Sequence, residues 1–240
     1  MNLFLKKETH LNGDYFICPD EFFAISDRVP WIPGVCEEYG IIKKIEKNEE
    51  GFFDFSKSLI DVGAEDGNYS MLLNFNKNYC FEPNKKMCCL IHTNMWLKNK
   101  VDNTFVYNIC LGDKENDFSV FNGFAEETSV MYEQSMDMVE NGRNKIEVVD
   151  KTTLDSFNIR DVGLIKVDAE GCDYFVLKGG IHTIIENDYP PILFENWDVG
   201  CFKQTQEAHD RIFDFLKSIG YDTIYEHWGD HETHLAIKKK

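Results

Sequence analysis

Leu59-Ile60-Asp61-Val62-Gly63-Ala64-Glu65-Asp66-Gly67-Asn68-Tyr69 is the stretch on which the fold turns. A short apolar run delivers a carboxylate, a glycine-bearing turn follows, and a helix opens after it. Gly63 and Gly67 let backbone approach a ligand closely, and the start of the helix offers unpaired N–H groups. Such an element suits a nucleotide-like cofactor. Two details lean away from a dinucleotide: the spacing is DxGxxxG rather than GxGxxG, and Asp61, Glu65 and Asp66 would repel a pyrophosphate. A cofactor carrying cationic groups fits these acids better. The competing reading is a glycine turn used only for packing.

Outward from this point the chain alternates short apolar runs with helix-length segments, the pattern of βαβ units and a parallel sheet. The predicted strands are SLIDVG, NYCFEP, TFVYNICLG, GLIKVDAEG and PPILFEN, with helices over 68–76, 85–98, 174–187 and 204–218. YDTIYEH and THLAIKK, around Gly229-Asp230, read as a closing antiparallel hairpin. The expected fold is α/β, Rossmann-like: a seven-stranded, mostly parallel sheet with helices on both faces and a terminal antiparallel hairpin. Two regions stand apart. Residues 1–55 hold half of the six prolines; DYFICP and EFFAIS suggest a short hairpin, Pro30 to Gly34 a turn, and Val35 to Asn48 a helix. We expect this extension to cap an acceptor pocket, ahead of the main domain over 56–240. Within that domain, DFSVFNG and NKIEVVDKTTLDSF flank a polar link, which reads as a β insertion at about 114–150.

Three further motifs end strands in carboxylates, where open α/β sheets bind ligands. Glu82 in Phe81-Glu82-Pro83-Asn84 lies 21 residues after Asp61, the place of an acid that grips ribose hydroxyls, and Pro83 stops the strand behind it. Asp168, in Ile165-Lys166-Val167-Asp168-Ala169-Glu170-Gly171, is a catalytic candidate or a helix cap. Glu195, in Ile192-Leu193-Phe194-Glu195-Asn196-Trp197, ends a run so apolar that a purely structural carboxylate there is hard to justify. Asp113, after CLG, is placed either near an adenine amino group or as a turn stabiliser.

Charge narrows the partners. With 25 basic and 42 acidic side chains the net charge is −17, so nucleic acid is a poor partner. The eight cysteines sit mostly in apolar runs without a CxxC pair, which favours buried free thiols in a reducing compartment over disulfides or a zinc site. No segment reaches the roughly 20 apolar residues of a membrane span, and the first residues do not make a signal peptide. A cytoplasmic location is expected; the oligomeric state is not legible.

DVGAEDGNYS, FEPN, YNICLGDKEN, TTLDSF, LIKVDAEGCDYFVLKGG and PPILFEN, in this order over about residues 59 to 197, resemble the FkbM family of methyltransferases, LIKVDAEG followed by VLKGG being the most specific portion. The resemblance implies a class I methyltransferase fold, S-adenosylmethionine as donor, and transfer to oxygen, commonly a hydroxyl of a sugar or sugar-bearing product. It places cofactor roles on Asp61, Gly63, Gly67 and Glu82; Ala64, Tyr69, Pro83 and Asp113 are neighbouring candidates. Ala169 stands where the family has a larger apolar residue, and Cys172-Asp173 where it has Ala-Glu.

Methyl transfer to an alcohol needs alignment and a place for the proton. In one scheme a carboxylate (Asp168 or Glu195) or His227 is the base. In the other, Asp168, Glu195 and Asn196 hold Mg²⁺ or Mn²⁺, a placement similar to catechol O-methyltransferase. His227, His231 and His234 have helical spacing, but Gly229 argues for a hairpin on which they share no face. Trp197, Trp228 and His227 are candidates to line a sugar pocket. A nicotinamide oxidoreductase or a noncatalytic cofactor-binding protein on the same sheet are the rival functions.

Overall fold

The computed structural model describes residues 6–10, 13–17, 33–115, 117–123, 128–130, 146–201 and 204–239. Its centre is a seven-stranded sheet. Strands β3 (Ser58–Val62), β4 (Lys77–Phe81), β5 (Thr104–Tyr107), β10 (Val162–Val167) and β11 (Ile192–Glu195) run parallel, and β12 (Thr223–Tyr225) and β13 (Thr233–Ile237) add an antiparallel edge. The order β12-β13-β11-β10-β3-β4-β5 reverses between β3 and β10, which opens a crevice beyond the carboxyl ends of those two strands.

β3 and β10 are buried along their whole length, as central parallel strands covered on both faces must be. Alternation sorts their side chains. Ile60, Val62, Ile165, Val167 and Phe194 join the core beneath α4 (Asp173–Lys178), α5 (Ile181–Glu186) and α6 (Gln206–Ile219). Leu59, Leu164 and Leu193 face the opposite side with Ile41, Ile42 and Ile45 of α1 (Pro33–Lys47) and Tyr69 of α2 (Asn68–Leu72). Cys80 of β4 packs there with Ile91 and Met95 of α3 (Lys85–Leu97). Asn84 caps α3 by accepting from the Lys86 amide, and Thr205 caps α6 by accepting from that of Ala208.

Several expected elements are revised. TFVYNICLG is not one strand: Thr104–Tyr107 stays in the main sheet, while β6 (Cys110–Leu111) leaves it for a second sheet with β7 (Asp117–Gly123), β8 (Thr128–Val130) and β9 (Ile146–Thr152), ordered β6-β9-β7-β8. The helix expected over 174–187 is two helices that meet at Gly179-Gly180, and a Cβ on Gly179 would stand 1.9 Å from the Gly112 carbonyl oxygen, so that position takes glycine. α2 stops at Leu72, where Leu73 turns extended and the Asn76 amide is taken by the Phe55 and Lys57 carbonyls. At the N-terminus, β1 (Lys6–His10) pairs with β2 (Gly13–Ile17); the hairpin therefore uses KKETH where EFFAIS was expected, and residues 21–26 and most of the 30–34 turn lie outside the described residues. Among the described residues no helix is long and apolar enough to cross a membrane.

Candidate active site

Asp61 of β3 and Lys166 of β10 are register partners, which puts a carboxylate and an ammonium side by side inside an otherwise apolar face. The Lys166 Nζ donates to the Gly63 carbonyl at 2.7 Å and lies 3.7 Å from Asp61 Oδ1 and 3.4 Å from Asp168 Oδ2. Asp61 Oδ2 accepts from the Ser70 hydroxyl at 2.7 Å. Burial raises the Asp61 carboxyl above the usual carboxylate range, and Lys166 works against that rise. Lys166 was not singled out in the sequence. Its signal was a lysine in the middle of a strand too apolar to tolerate one unpaired.

The glycine turn serves its own chain. Gly63 has φ +65, and a Cβ there would fall 1.7 Å from the Asp168 carbonyl oxygen, so the glycine lets the ends of β3 and β10 touch. Gly67, at φ +82, packs closely on Ile91 and Met95. The amides of Gly63 and Ala64 both donate to the Phe81 carbonyl. Glu82 then joins the two turns: Oε2 accepts from the Glu65 amide at 2.9 Å and Oε1 from the Asn84 amide at 2.7 Å. Burial pushes its carboxyl up to about 8, despite these two donors. Because a carboxylate has about four acceptor sites, Glu82 retains capacity for hydroxyl donors. Behind it, Asn108 donates to the carbonyls of Glu82 and Pro83. Burial would raise the Asp113 carboxyl, but the Lys178 ammonium 2.8 Å away takes it below its ordinary value. That pair ties the 112–113 turn to α4.

A cavity of about 220 Å³ opens over the ends of β10 and β11. Tyr69, Lys166, Asp168 and Glu195 line it, with Ile41 of α1 and the 230–233 loop. Asp168 keeps 42% of its side chain exposed at this cavity while paired with Lys166. Glu195 is held differently: Oε2 is buried without a hydrogen bond. Burial, then the charges of Asp168, Asp173 and Glu170, push its carboxyl well up.

The other candidates lie elsewhere. His227 does not line this cavity and instead sets Nδ1 2.6 Å from the His231 carbonyl; His231 itself is a lining residue. Asn196 turns toward α6, its Oδ1 accepting from Gln204 Nε2 and its Nδ2 donating to the His209 carbonyl, both at 3.1 Å. Among the described residues no group of three or more His, Cys, Asp or Glu is placed to hold a metal ion. Trp228, expected beside a sugar, is buried against Phe53 with the Lys44 ammonium 4.0 Å from its ring. Trp197 packs on Gly171 in a second small cavity that shares the Glu195 wall with the first.

The structure is similar to the methyltransferase FkbM from Methylobacillus flagellatus KT, with a TM-score of 0.53 and 17% identity over 84% of this chain. The chain spans about half of that protein's length, 50%. It is also similar to a Staphylococcus aureus protein assigned as a caffeoyl-CoA O-methyltransferase, with a TM-score of 0.51, 15% identity and coverage of 90% of this chain and 89% of the other. Both likenesses establish a class I methyltransferase fold. No curated protein matches the chain. The family model described as the methyltransferase FkbM domain matches residues 61–223, more than half of the sequence, and the chain therefore belongs to that family.

Proposed function

We propose that this protein transfers a methyl group from S-adenosylmethionine to a hydroxyl of a sugar or glycan, with Asp168 taking the proton. The observation that carries the reading is the pairing of two sites: the Glu82 clasp at the glycine turn, and next to it a cavity with a half-exposed carboxylate at its mouth.

The residues suit the donor. Glu82 has acceptor capacity for vicinal hydroxyls, and Glu65, the exposed acid of the turn, favours a cation. S-adenosylmethionine supplies a methyl carbon already activated by its sulfonium. The chain supplies the rest: Glu82 and the Gly63–Gly67 turn bind, Tyr69 and Ile41 wall the acceptor cavity, and Asp168 receives the hydroxyl proton on a carboxylate oxygen. Lys166, 3.4 Å from that carboxylate, fixes it relative to the Gly63 carbonyl. The metal scheme would require Asn196 to give up its bond from Gln204, so we favour direct transfer to Asp168.

Glu82→Ala is expected to weaken binding of S-adenosylmethionine by about 1.5–3 kcal/mol at a pH above about 8, the value to which burial pushes its carboxyl, where the range for hydrogen bonds to a charged group applies. Because Glu82 also ties two backbone amides, circular dichroism and a melting curve must accompany the calorimetry. Unchanged affinity in a folded variant would take Glu82 out of the donor site. A second expectation concerns partners: at −17 net charge, RNA should bind weakly at physiological salt. Tight binding that falls steeply with added salt would replace the sugar acceptor by RNA.

A further inference from the structure

The cavity over Asp168 is more acidic than a neutral alcohol requires. Glu65, Asp168, Glu195, Asp230 and Glu232 line it against the single ammonium of Lys166. Lys166 is already shared between Asp168 and Asp61. The Asp230 carboxylate accepts from the amides of Glu232 and Thr233, and Glu232 stands 3.5 Å from the His231 ring. Glu195 is the exception. Its Oε2 is buried and makes no hydrogen bond. A buried polar atom without a partner is costly, and Glu195, which lines both this cavity and the smaller one beside Trp197, can turn that oxygen to a ligand that supplies the missing donor. The methyl donor, with one sulfonium, one ammonium and one carboxylate, brings a net single positive charge. Leaving out Glu195, whose carboxyl burial pushes up, four carboxylates less one lysine and less that charge leave two in excess.

We infer that the acceptor carries a protonated amine near the hydroxyl that is methylated, as in a sugar with a free amino group, and that Glu195 receives the ammonium. The inference rests on the methyl-transfer reading above. A neutral sugar can offer Oε2 a hydroxyl but leaves the excess negative charge in place, and a carboxylated or phosphorylated one meets like charge on most sides. An ammonium satisfies Oε2 and relieves the repulsion from Asp168 and Glu170 together. Charge-assisted pairing of this kind is worth about tenfold or more in affinity.

The test compares glucosamine oligosaccharides with the same oligosaccharides N-acetylated, which remove the charge and keep the ring. Binding is measured by calorimetry on the full chain saturated with S-adenosylhomocysteine, and turnover with labelled donor. The amine series is expected to bind at least about tenfold tighter and to be the one methylated. Glu195→Gln should erase most of that preference while leaving S-adenosylhomocysteine affinity unchanged; Glu232→Gln, on the loop, should erase part of it and serves if the first variant does not fold. Equal or tighter binding of the acetylated series overturns the inference, as does failure of every amine probe in a protein that binds S-adenosylhomocysteine. A folded protein that does not bind S-adenosylhomocysteine overturns the donor reading, and this inference with it.

Discussion

Gly63→Ala is expected to cost at least about 3 kcal/mol of stability, a drop of roughly 6–12 °C in Tm for a chain of this size. Two penalties combine. Gly63 sits at φ +65, and a Cβ there would lie 1.7 Å from the Asp168 carbonyl oxygen and 2.8 Å from its carbon. The obstacle is backbone, not the flexible end of a side chain. It is also tied down, because the Asp168 amide donates to the Val62 carbonyl at 3.1 Å. Relief requires the ends of β3 and β10 to part, which disturbs the Lys166 contacts with Gly63, Asp61 and Asp168. Gly51→Ala is the control: φ is +70 but nothing lies within 4 Å, so only the left-handed strain of about 1–2 kcal/mol applies. Urea denaturation of the two variants separates strain from collision. Equal losses would show that the crossing relaxes freely and that Gly63 is not required for packing.

This glycine shows what the sequence could and could not convey. Its unusual backbone was legible from DxGxxxG, and so was the strand before it. Packing was weighed there as the rival to ligand approach, but the object that approaches is the chain's own residue 168, more than a hundred positions away. The strands were legible for a simple reason: Leu59-Ile60 and Leu164-Ile165 sit in nearly unbroken apolar runs, as strands buried on both faces do. Their register was not legible, and with it the Asp61–Lys166 pair stayed hidden. The same limit applies at Gly179-Gly180, where nothing local marks the arrival of the Gly112 carbonyl. Adjacency to Glu195 makes Asn196 look like a second ligand, but its amide is taken by Gln204 and the His209 carbonyl, partners that only the fold brings to it.

Asp168→Asn is expected to lower kcat by about 10²–10⁴, the usual worth of a general base, with donor affinity unchanged within about twofold. The substitution keeps the shape and removes the proton acceptor. Lys166 still has the Gly63 carbonyl and Asp61 within reach, so the sheet should tolerate it and stability should change little. The carboxylate can serve as base because its side chain is 42% exposed at the cavity, whereas burial first, and then the charge of Asp168, pushes the Glu195 carboxyl well above its ordinary value. A kcat within about threefold of wild type, with labelled donor saturating, would remove Asp168 from this role. Chelation distinguishes the remaining scheme. If EDTA abolishes turnover but not donor binding, and Mg²⁺ or Mn²⁺ restores it, then Asp168 acts as a ligand to a cation, and Asn196→Ala should cost as much as Asp168→Asn. Under direct proton transfer EDTA has no effect. Asn196→Ala then loses only its ties to Gln204 and the His209 carbonyl, which lowers stability while leaving kcat near its wild-type value.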